Sequence, residues 1–286
     1  MRLISPAPNV PAPMARSRRA HTRLHVALFL VTILALLLGT GFVRLQQQQR
    51  QRTAALQAVI DQWTAQHGSG YRIAVQTTGW RGVSASYQAN VSTVTASTYK
   101  LFVAYAAYYQ METGKLSPDQ RLSGGQMVET CLERAIVQSD NDCAVAVADK
   151  IGWSAIDQLV TKVGLTHTHL NNYNMYGTFT GDKQTTAADL ALLLQKLQAG
   201  TLLNKTHTAT LLGYMKRQVY RDGIPAGSNG ATVADKVGFL DGATHDAAIV
   251  YGPRQTYVLV VLSDKGKDWA NIRSLASYVY SHLNER

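Results

Sequence analysis

The stretch STYKLFVAYAAYYQM, residues 97–111, decides how this chain is interpreted. After Lys100, nine consecutive residues are apolar or aromatic, which predicts a helix buried on every side. Ser97 precedes Lys100 by three positions, so the two side chains would share one helix face. An N-cap serine followed by an exposed lysine would give the same spacing. A lysine within an apolar helix needs a chemical reason, because an unpaired buried charge is costly. The pair therefore predicts a serine nucleophile with an amine that accepts its proton.

Two further short motifs follow along the chain. Ser-Asp-Asn occupies residues 139–141, within AIVQSDNDC, and alone it would indicate a turn and a helix N-cap. Lys-Val-Gly occupies residues 236–238, within ADKVGFLDGATHDAA, where the pattern predicts a strand. Each motif is weak by itself. Their order, and the helix and strand context of each, favour one shared site.

Together the three motifs resemble the S-x-x-K, S-D-N and K-T-G signature of class A β-lactamases and penicillin-binding proteins, over roughly residues 56–283. The resemblance implies that Ser97 attacks a carbonyl and is acylated, that Lys100 accepts its proton, and that Ser139 relays a proton to the leaving nitrogen. It implies an oxyanion site made of the backbone N–H groups of Ser97 and Phe239. The residues implied to bind substrate are Asn141, which would contact an amide, Lys236, which would attract a carboxylate, Gly238 and Phe239.

Two departures from that signature bear on activity. Val237 stands where the family carries Thr or Ser, so a hydroxyl that helps to bind a substrate carboxylate is missing. The loop at residues 165–181 contains no Asp or Glu, although class A β-lactamases carry a glutamate there that activates the deacylating water. The resemblance therefore implies slow hydrolysis of a penicilloyl-enzyme. His167 or His169 could act as the loop base near neutral pH, but exposed side chains are the simpler interpretation of both.

The remaining periodicity predicts an α/β (α+β) fold. An antiparallel sheet of about five strands would be flanked by N- and C-terminal helices, with an all-helical subdomain inserted between its two halves. Strands are predicted at residues 71–77, 83–89, 232–239, 247–251 and 256–262. Helices are predicted after Ser97 and at residues 54–66, 129–137, 144–151, 154–163, 186–198 and 269–283. The active site would lie between the sheet and the helical subdomain.

The formal net charge of +10 comes mainly from the N-terminus. Residues 1–52 contain eight arginines and no acidic residue, whereas the rest of the chain carries 20 basic and 18 acidic residues. The arginines flank an uncharged apolar run, VALFLVTILALLLGTGFV at residues 26–43, which would span about 27 Å as a helix. This arrangement favours a membrane, and no nucleic-acid partner is expected.

These patterns predict a domain organisation with the enzyme outside the cytoplasm. The predicted segments are a cytoplasmic basic leader at residues 1–25, a transmembrane anchor at 26–43, a juxtamembrane linker at 44–55 and a serine hydrolase domain at 56–286. A cleaved signal peptide is the alternative, but the leader is long and no A-x-A cleavage site follows the apolar run. Cys131 and Cys143 would form a disulfide in such a compartment, whereas a reducing compartment would keep two buried thiols.

The sequence thus predicts a serine acyl hydrolase that acts on β-lactams or D-Ala-D-Ala-type amides through a Ser97 acyl-enzyme and is slow at β-lactam turnover. It would work as a monomer without metal or cofactor, on a β-lactam or a peptidoglycan stem peptide. Two alternatives stay open: a cell-wall D,D-carboxypeptidase or endopeptidase, and a non-catalytic, membrane-anchored wall-binding protein on a decayed hydrolase scaffold. A Ser-His-Asp triad built on His245 is a third, although the sequence has no G-x-S-x-G elbow.

Overall fold

The computed structural model describes residues 17–79, 81–172 and 181–285. Two compact units are present, Met1–Gln51 and Arg52–Arg286. Helix α1 spans Ser17–His67 and contributes residues to both units. No helix among the described residues is both long enough and apolar enough to cross a membrane. Part of the predicted anchor, residues 26–43, lies outside the residues whose side chains are described, and the anchor stays a prediction.

The second unit is built around an antiparallel sheet. Its strands, in chain order, are β1, Tyr71–Thr77; β2, Ser84–Tyr87; β3, Thr93–Val94; β4, Gln184–Thr185; β5, Thr232–Leu240; β6, Ala243–Tyr251; and β7, Thr256–Ser263. Five of these strands form one sheet in the order β2-β1-β7-β6-β5, and β3 pairs with β4 separately. The predicted sheet of about five strands is confirmed. The strand β5, which carries the Lys-Val-Gly motif, lies at one edge of it.

An all-helical subdomain is inserted between the two halves of the sheet, as the sequence predicts. Its helices and those that follow are α2, Tyr99–Glu112; α3, Val128–Val137; α4, Asn141–Ile151; α5, Trp153–Lys162; α6, Ala187–Gln198; α7, Lys205–Lys216; and α8, Trp269–Tyr280. Helices α3, α4 and α5 pack against α2. The predicted mixed α/β fold class is therefore confirmed.

Each face of the sheet is covered by its own set of helices. On one face the C-terminal part of α1 packs beside α8, where Leu56, Trp63 and Ile272 are fully buried. The other face packs against α2, α6 and the helical subdomain. Because successive side chains of a strand point to opposite faces, Ile73 belongs to the first apolar cluster and Ala74 to the second.

Helix α2 is buried along most of its length, as the apolar run after Lys100 predicts. Every side chain from Lys100 to Tyr108 is at most 3% exposed. A short 3₁₀ turn, Ala96–Thr98, precedes the helix, so Ser97 lies just before α2 and Lys100 lies in its first turn. The apolar body of α2 therefore anchors both residues against the core of the domain.

Some helix and strand boundaries in the structure differ from the predicted ones, in one case because buried polar residues resemble turn residues in the sequence. Strand β6 begins at Ala243, four residues before the prediction, because Thr244, His245 and Asp246 resemble a turn but are fully buried. Helix α7 was not predicted, since few of its side chains are buried. The predicted last helix, 269–283, ends as α-helix at Tyr280 and continues as a π-helical turn.

The disulfide predicted between Cys131 and Cys143 is present, with the two Cα atoms 4.6 Å apart. Cys131 belongs to α3 and Cys143 to α4, so the bond closes the connection that contains the Ser-Asp-Asn motif. Both cysteines are buried. The cross-link therefore holds the two helices that carry this connection.

Candidate active site

The amine of Lys100 lies at the centre of the candidate active site. The side chain is 1% exposed. Its Nζ lies 2.9 Å from Ser97 Oγ, 3.1 Å from Ser139 Oγ and 2.6 Å from both the Ser139 backbone oxygen and Asn141 Oδ1. An ammonium group has three protons and no lone pair, so it cannot bond fully to four oxygens. A neutral amine can instead accept the proton of the Ser97 hydroxyl group.

The protonation of Lys100 suits that role. Burial lowers the pKa of Lys100 to about 8, and the carboxylate of Asp140 offsets the effect only in part. Removal of an ammonium group from water favours its neutral form. About one tenth of the Lys100 side chains are then neutral at pH 7, instead of about one in three thousand for an ordinary lysine. An amine of this kind can take a proton from a serine near neutral pH.

Lys236 contacts the same serine, Ser139, from strand β5. It is fully buried, and its Nζ donates to Ser139 Oγ at 3.0 Å and to the Val237 backbone oxygen at 2.8 Å. Burial and the positive charge of Lys100 lower the pKa of Lys236 to about 7, against the opposing effect of two buried aspartates. Ser139 Oγ thus lies within hydrogen-bond distance of both amines.

Ser139 is held in an unusual backbone conformation. Its φ angle is +59°, which costs a residue other than glycine about 1–2 kcal/mol. The following residue fixes the turn, because the Asp140 side chain accepts from the Cys143 N–H at 3.0 Å and forms an ion pair with Arg134 at 2.5 Å. The disulfide of Cys143 adds a covalent tie. A strained conformation persists where its surroundings enforce it, and here it keeps the Ser139 hydroxyl beside both lysines.

Strand β5 passes so close to the Ser97 turn that only glycine fits at Gly238. A Cβ atom at this position would lie 2.9 Å from the Ser97 nitrogen and 3.0 Å from the Thr98 nitrogen. Gly238 is therefore a spacing residue between the strand and the turn. The two N–H groups predicted to hold an oxyanion, those of Ser97 and Phe239, belong to the two segments that Gly238 brings together.

A charged cluster behind β5 was not foreseen from the sequence. Asp235 is fully buried and bonded to Arg221, and Asp246 accepts from the Ile224 N–H at 2.8 Å. Burial raises the pKa of both carboxyl groups. Because strand side chains alternate, Asp235 lies on the opposite face of the sheet from Lys236. The available signal was an acid beside a lysine in an otherwise apolar strand.

The cleft that contains Ser97 has a volume of about 230 Å³. Of the residues proposed from the sequence, Ser97, Asn141 and Phe239 line it. The other lining residues, which the sequence analysis did not single out for a role in the site, include Asn172, Asp182 and Lys183. The described residues contain no group of three His, Cys, Asp or Glu side chains that could hold a metal ion.

The two loop histidines do not line this cleft in the described part of the chain. His167 is exposed, with Nδ1 3.8 Å from Asp189 Oδ1. His169 is exposed as well, and its backbone pairs with Gln184 at 2.9 Å. Residues 173–180, which form the later part of the predicted catalytic loop, lie outside the described residues.

Both ring nitrogens of His245 form hydrogen bonds with backbone groups. The Ser263 N–H donates to Nδ1 at 3.2 Å, and Nε2 lies 2.9 Å from the Val94 backbone oxygen. Nε2 must therefore carry the proton and donate it, which leaves neither ring nitrogen able to accept a proton from a serine. The alternative of a triad built on His245 is not supported by this geometry.

The fold and these contacts together define the class of the protein. A serine whose hydroxyl group contacts a desolvated lysine amine, between a five-stranded sheet and a helical subdomain, is typical of serine hydrolases with the β-lactamase fold. The chain belongs to the beta-lactamase enzyme family, whose family model matches residues 51–283.

Solved structures show the same fold. A PBP-A mutant in an acyl-enzyme complex with penicillin G is similar over 84% of this chain and 96% of its own, with 23% identity and a TM-score of 0.67. A β-lactamase from Xanthomonas campestris pv. campestris str. ATCC 33913 matches over 82% and 99%, with 19% identity and a TM-score of 0.71. One from Desulfarculus baarsii DSM 2075 matches over 81% and 98%, with 21% identity and a TM-score of 0.70. No curated protein sequence matches the chain.

Proposed function

We propose that this hydrolase acts on β-lactams or D-Ala-D-Ala-type amides through an acyl-enzyme at Ser97. The observation that carries the proposal is the 2.9 Å contact between Lys100 Nζ and Ser97 Oγ, made by an amine whose pKa is lowered to about 8. A serine nucleophile needs an adjacent base that is neutral at the working pH. Lys100 is adjacent to Ser97, and its lowered pKa of about 8 leaves about one tenth of it neutral at pH 7 and most of it neutral at pH 9.

The acylation step follows from the hydrogen bonds of the site. Neutral Lys100 takes the Ser97 proton as Oγ attacks the carbonyl carbon, and the N–H groups of Ser97 and Phe239 stabilise the oxyanion. Lys100 then passes a proton through Ser139 Oγ, which is 3.1 Å away, to the leaving nitrogen. The amine of Lys236, 3.0 Å from Ser139 Oγ, stabilises developing negative charge on that oxygen. Water finally hydrolyses the Ser97 ester.

The substrate class rests on the cation at Lys236 and on the likeness to PBP-A. A buried lysine in contact with Ser139, the residue proposed to relay the proton, suits a substrate with a carboxylate near the scissile amide, as β-lactams and D-Ala-D-Ala peptides have. The PBP-A mutant in an acyl-enzyme complex with penicillin G makes acylation by a β-lactam the natural first test. Val237 offers no hydroxyl group for the carboxylate, so we expect weak binding of ordinary β-lactams.

Deacylation is expected to be slow. Residues 165–181 contain no carboxylate, and Asp182, which lines the cleft, is exposed to solvent. General-base assistance is typically worth about 10²- to 10⁴-fold in rate. A D,D-carboxypeptidase or endopeptidase is the second candidate, favoured by this missing base. The intact contacts among Ser97, Lys100 and Ser139 argue against a decayed, non-catalytic scaffold.

The proposed location is the outer face of a membrane. The arginine-rich leader and the apolar run at residues 26–43 support an uncleaved anchor with its N-terminus in the cytoplasm. The disulfide between Cys131 and Cys143 supports an oxidising compartment for the enzyme domain. There the enzyme would meet both β-lactams and peptidoglycan stem peptides.

The proposal is tested by the intact mass of the purified protein after exposure to benzylpenicillin. The wild type should gain one penicilloyl adduct. Ser97→Ala should gain none, whereas Ser123→Ala, which removes an exposed serine outside the site, should be labelled like the wild type. Equal labelling of Ser97→Ala would remove the central assignment.

A further inference from the structure

Lys183 brings an amine to the catalytic cleft that the acylation chemistry does not use. It lines the same cleft as Ser97 and Asn141. It lies outside the three sequence motifs, just after the loop at residues 165–181. Acylation of Ser97 needs no further amine. Lys183 therefore has a different role, which its contacts indicate.

The backbone of Lys183 is tied to the segment that leads into the nucleophile. The Thr95 N–H donates to the Lys183 backbone oxygen at 2.8 Å. The next residue, Gln184, pairs with Val94 in the small two-stranded sheet. Lys183 is therefore fixed with respect to Ser97 by hydrogen bonds two residues away from it. This differs from a lysine on a loose surface loop, whose position relative to a substrate would vary.

The side chain of Lys183 is held over two aromatic rings. Its Nζ lies 4.0 Å from the centroid of the Trp153 ring and 5.6 Å from that of Tyr99, and it donates to Asn172 Oδ1 at 2.8 Å. Cation–π contacts of this kind position an ammonium group without neutralising it. Lys100 Nζ also lies 5.6 Å from the Tyr99 centroid. The two amines are therefore no farther apart than twice that distance, which a substrate of several bonds can bridge.

The charge of Lys183 is not neutralised by a carboxylate in contact with it. The ion pairs among the described residues do not include Lys183, and residues 173–180 contain no Asp or Glu. Asp149, Asp157 and Asp182 act on it only at longer range. Asp149 accepts from Trp153 Nε1 at 2.9 Å, and Asp157 accepts two backbone N–H groups. Lys183 can therefore pair with an anion that enters the cleft.

The anion is expected on the acyl side of the substrate. Asn141 Oδ1 is occupied by Lys100, which leaves the Asn141 amide N–H groups for the substrate's own amide. Asn141, Asn172 and Lys183 line one cleft, so a substituent beyond that amide would extend toward Lys183. We propose that Lys183 is a specificity-determining residue that binds a carboxylate on the acyl portion of the substrate. The inference rests on the proposed acylation of Ser97.

Two penicillins that differ by one group test this inference. Carbenicillin is benzylpenicillin with an additional carboxylate on the acyl side chain. The measured quantity is the second-order rate constant for acylation of the full-length chain by carbenicillin, divided by that for benzylpenicillin. We expect Lys183→Met to lower this ratio about fivefold, the effect of an ion pair worth about 1 kcal/mol, while Lys183→Arg retains it. Added salt should lower the ratio for the wild type but not for Lys183→Met.

The matched control is Lys162→Met, because Lys162 also lies over an aromatic ring, 5.9 Å from the Tyr109 centroid, but does not line the cleft. It should leave the ratio unchanged. An unchanged ratio in Lys183→Met, or an equal fall in Lys162→Met, overturns the inference. Equal slowing of both penicillins in Lys183→Met also overturns it, because that result indicates a general catalytic or structural role. Failure of both penicillins to acylate the wild type would instead contradict the proposed function.

Discussion

The lowered pKa of Lys100 predicts how the reactivity of Ser97 depends on pH. With a pKa of about 8, the neutral fraction of Lys100 rises from about one tenth at pH 7 to about nine tenths at pH 9. If neutral Lys100 is the base, the rate of Ser97 modification should rise about tenfold over that range. The appropriate probe is a fluorophosphonate without a carboxylate, because its reaction does not require a charged Lys236.

The assay is intact mass spectrometry of samples quenched at successive times, at each of a series of pH values. Lys100→Met should react about 10²- to 10⁴-fold more slowly, with circular dichroism to verify that the variant is folded. Benzylpenicillin should show a shallower rise, because Lys236, with a pKa of about 7, loses the charge that attracts its carboxylate. A wild-type fluorophosphonate rate that is flat between pH 7 and pH 9 would refute the assignment of Lys100 as the base.

Three further predictions concern the scaffold and the location. Gly238→Ala places a Cβ atom 2.9 Å from the Ser97 nitrogen, so we expect a loss of about 1–3 kcal/mol in the free energy of unfolding and slower penicilloylation; unchanged values of both would contradict the close approach. Replacement of Cys131 and Cys143 by alanine should lower the urea-derived free energy of unfolding by about 3 kcal/mol, and an unchanged value would show that the cross-link contributes nothing. For the proposed anchor, the protein should stay in the membrane pellet after an alkaline wash, with a C-terminal reporter open to protease in spheroplasts. Release of a soluble form that begins near Arg44 would count against an uncleaved segment.

The buried helix, the pairing of Ser97 with Lys100 and the disulfide could be predicted because their sequence signals are local or involve few residues. The apolar run after Lys100 identified a buried helix, and the spacing of three from Ser97 placed the two side chains together. The cysteine pair was found because only two cysteines are present. These features depend on residues that are close in the sequence or few in number.

The parts that the sequence did not reveal depend on tertiary packing. In the sequence Lys183 resembles an ordinary loop lysine, and only the structure shows that its ammonium group lies over the rings of Trp153 and Tyr99. Asp246 resembles part of a turn, yet it is fully buried opposite Val237 in the sheet. Nothing in the local pattern distinguishes such polar residues from solvated ones, because their partners lie far away in the chain.

The lifetime of the acyl-enzyme distinguishes a slow acyl hydrolase that uses Ser97 from an efficient β-lactamase. Benzylpenicillin is added in slight excess, the adduct is mapped to a peptide, and its mass is followed over hours beside nitrocefin turnover. We predict one adduct on Ser97 that persists for hours, with little or no turnover, because no carboxylate lies in residues 165–181. An adduct on another residue would contradict the assignment of the nucleophile. Rapid turnover with no accumulating adduct would contradict the slow deacylation and would make Asp182 the next residue to replace.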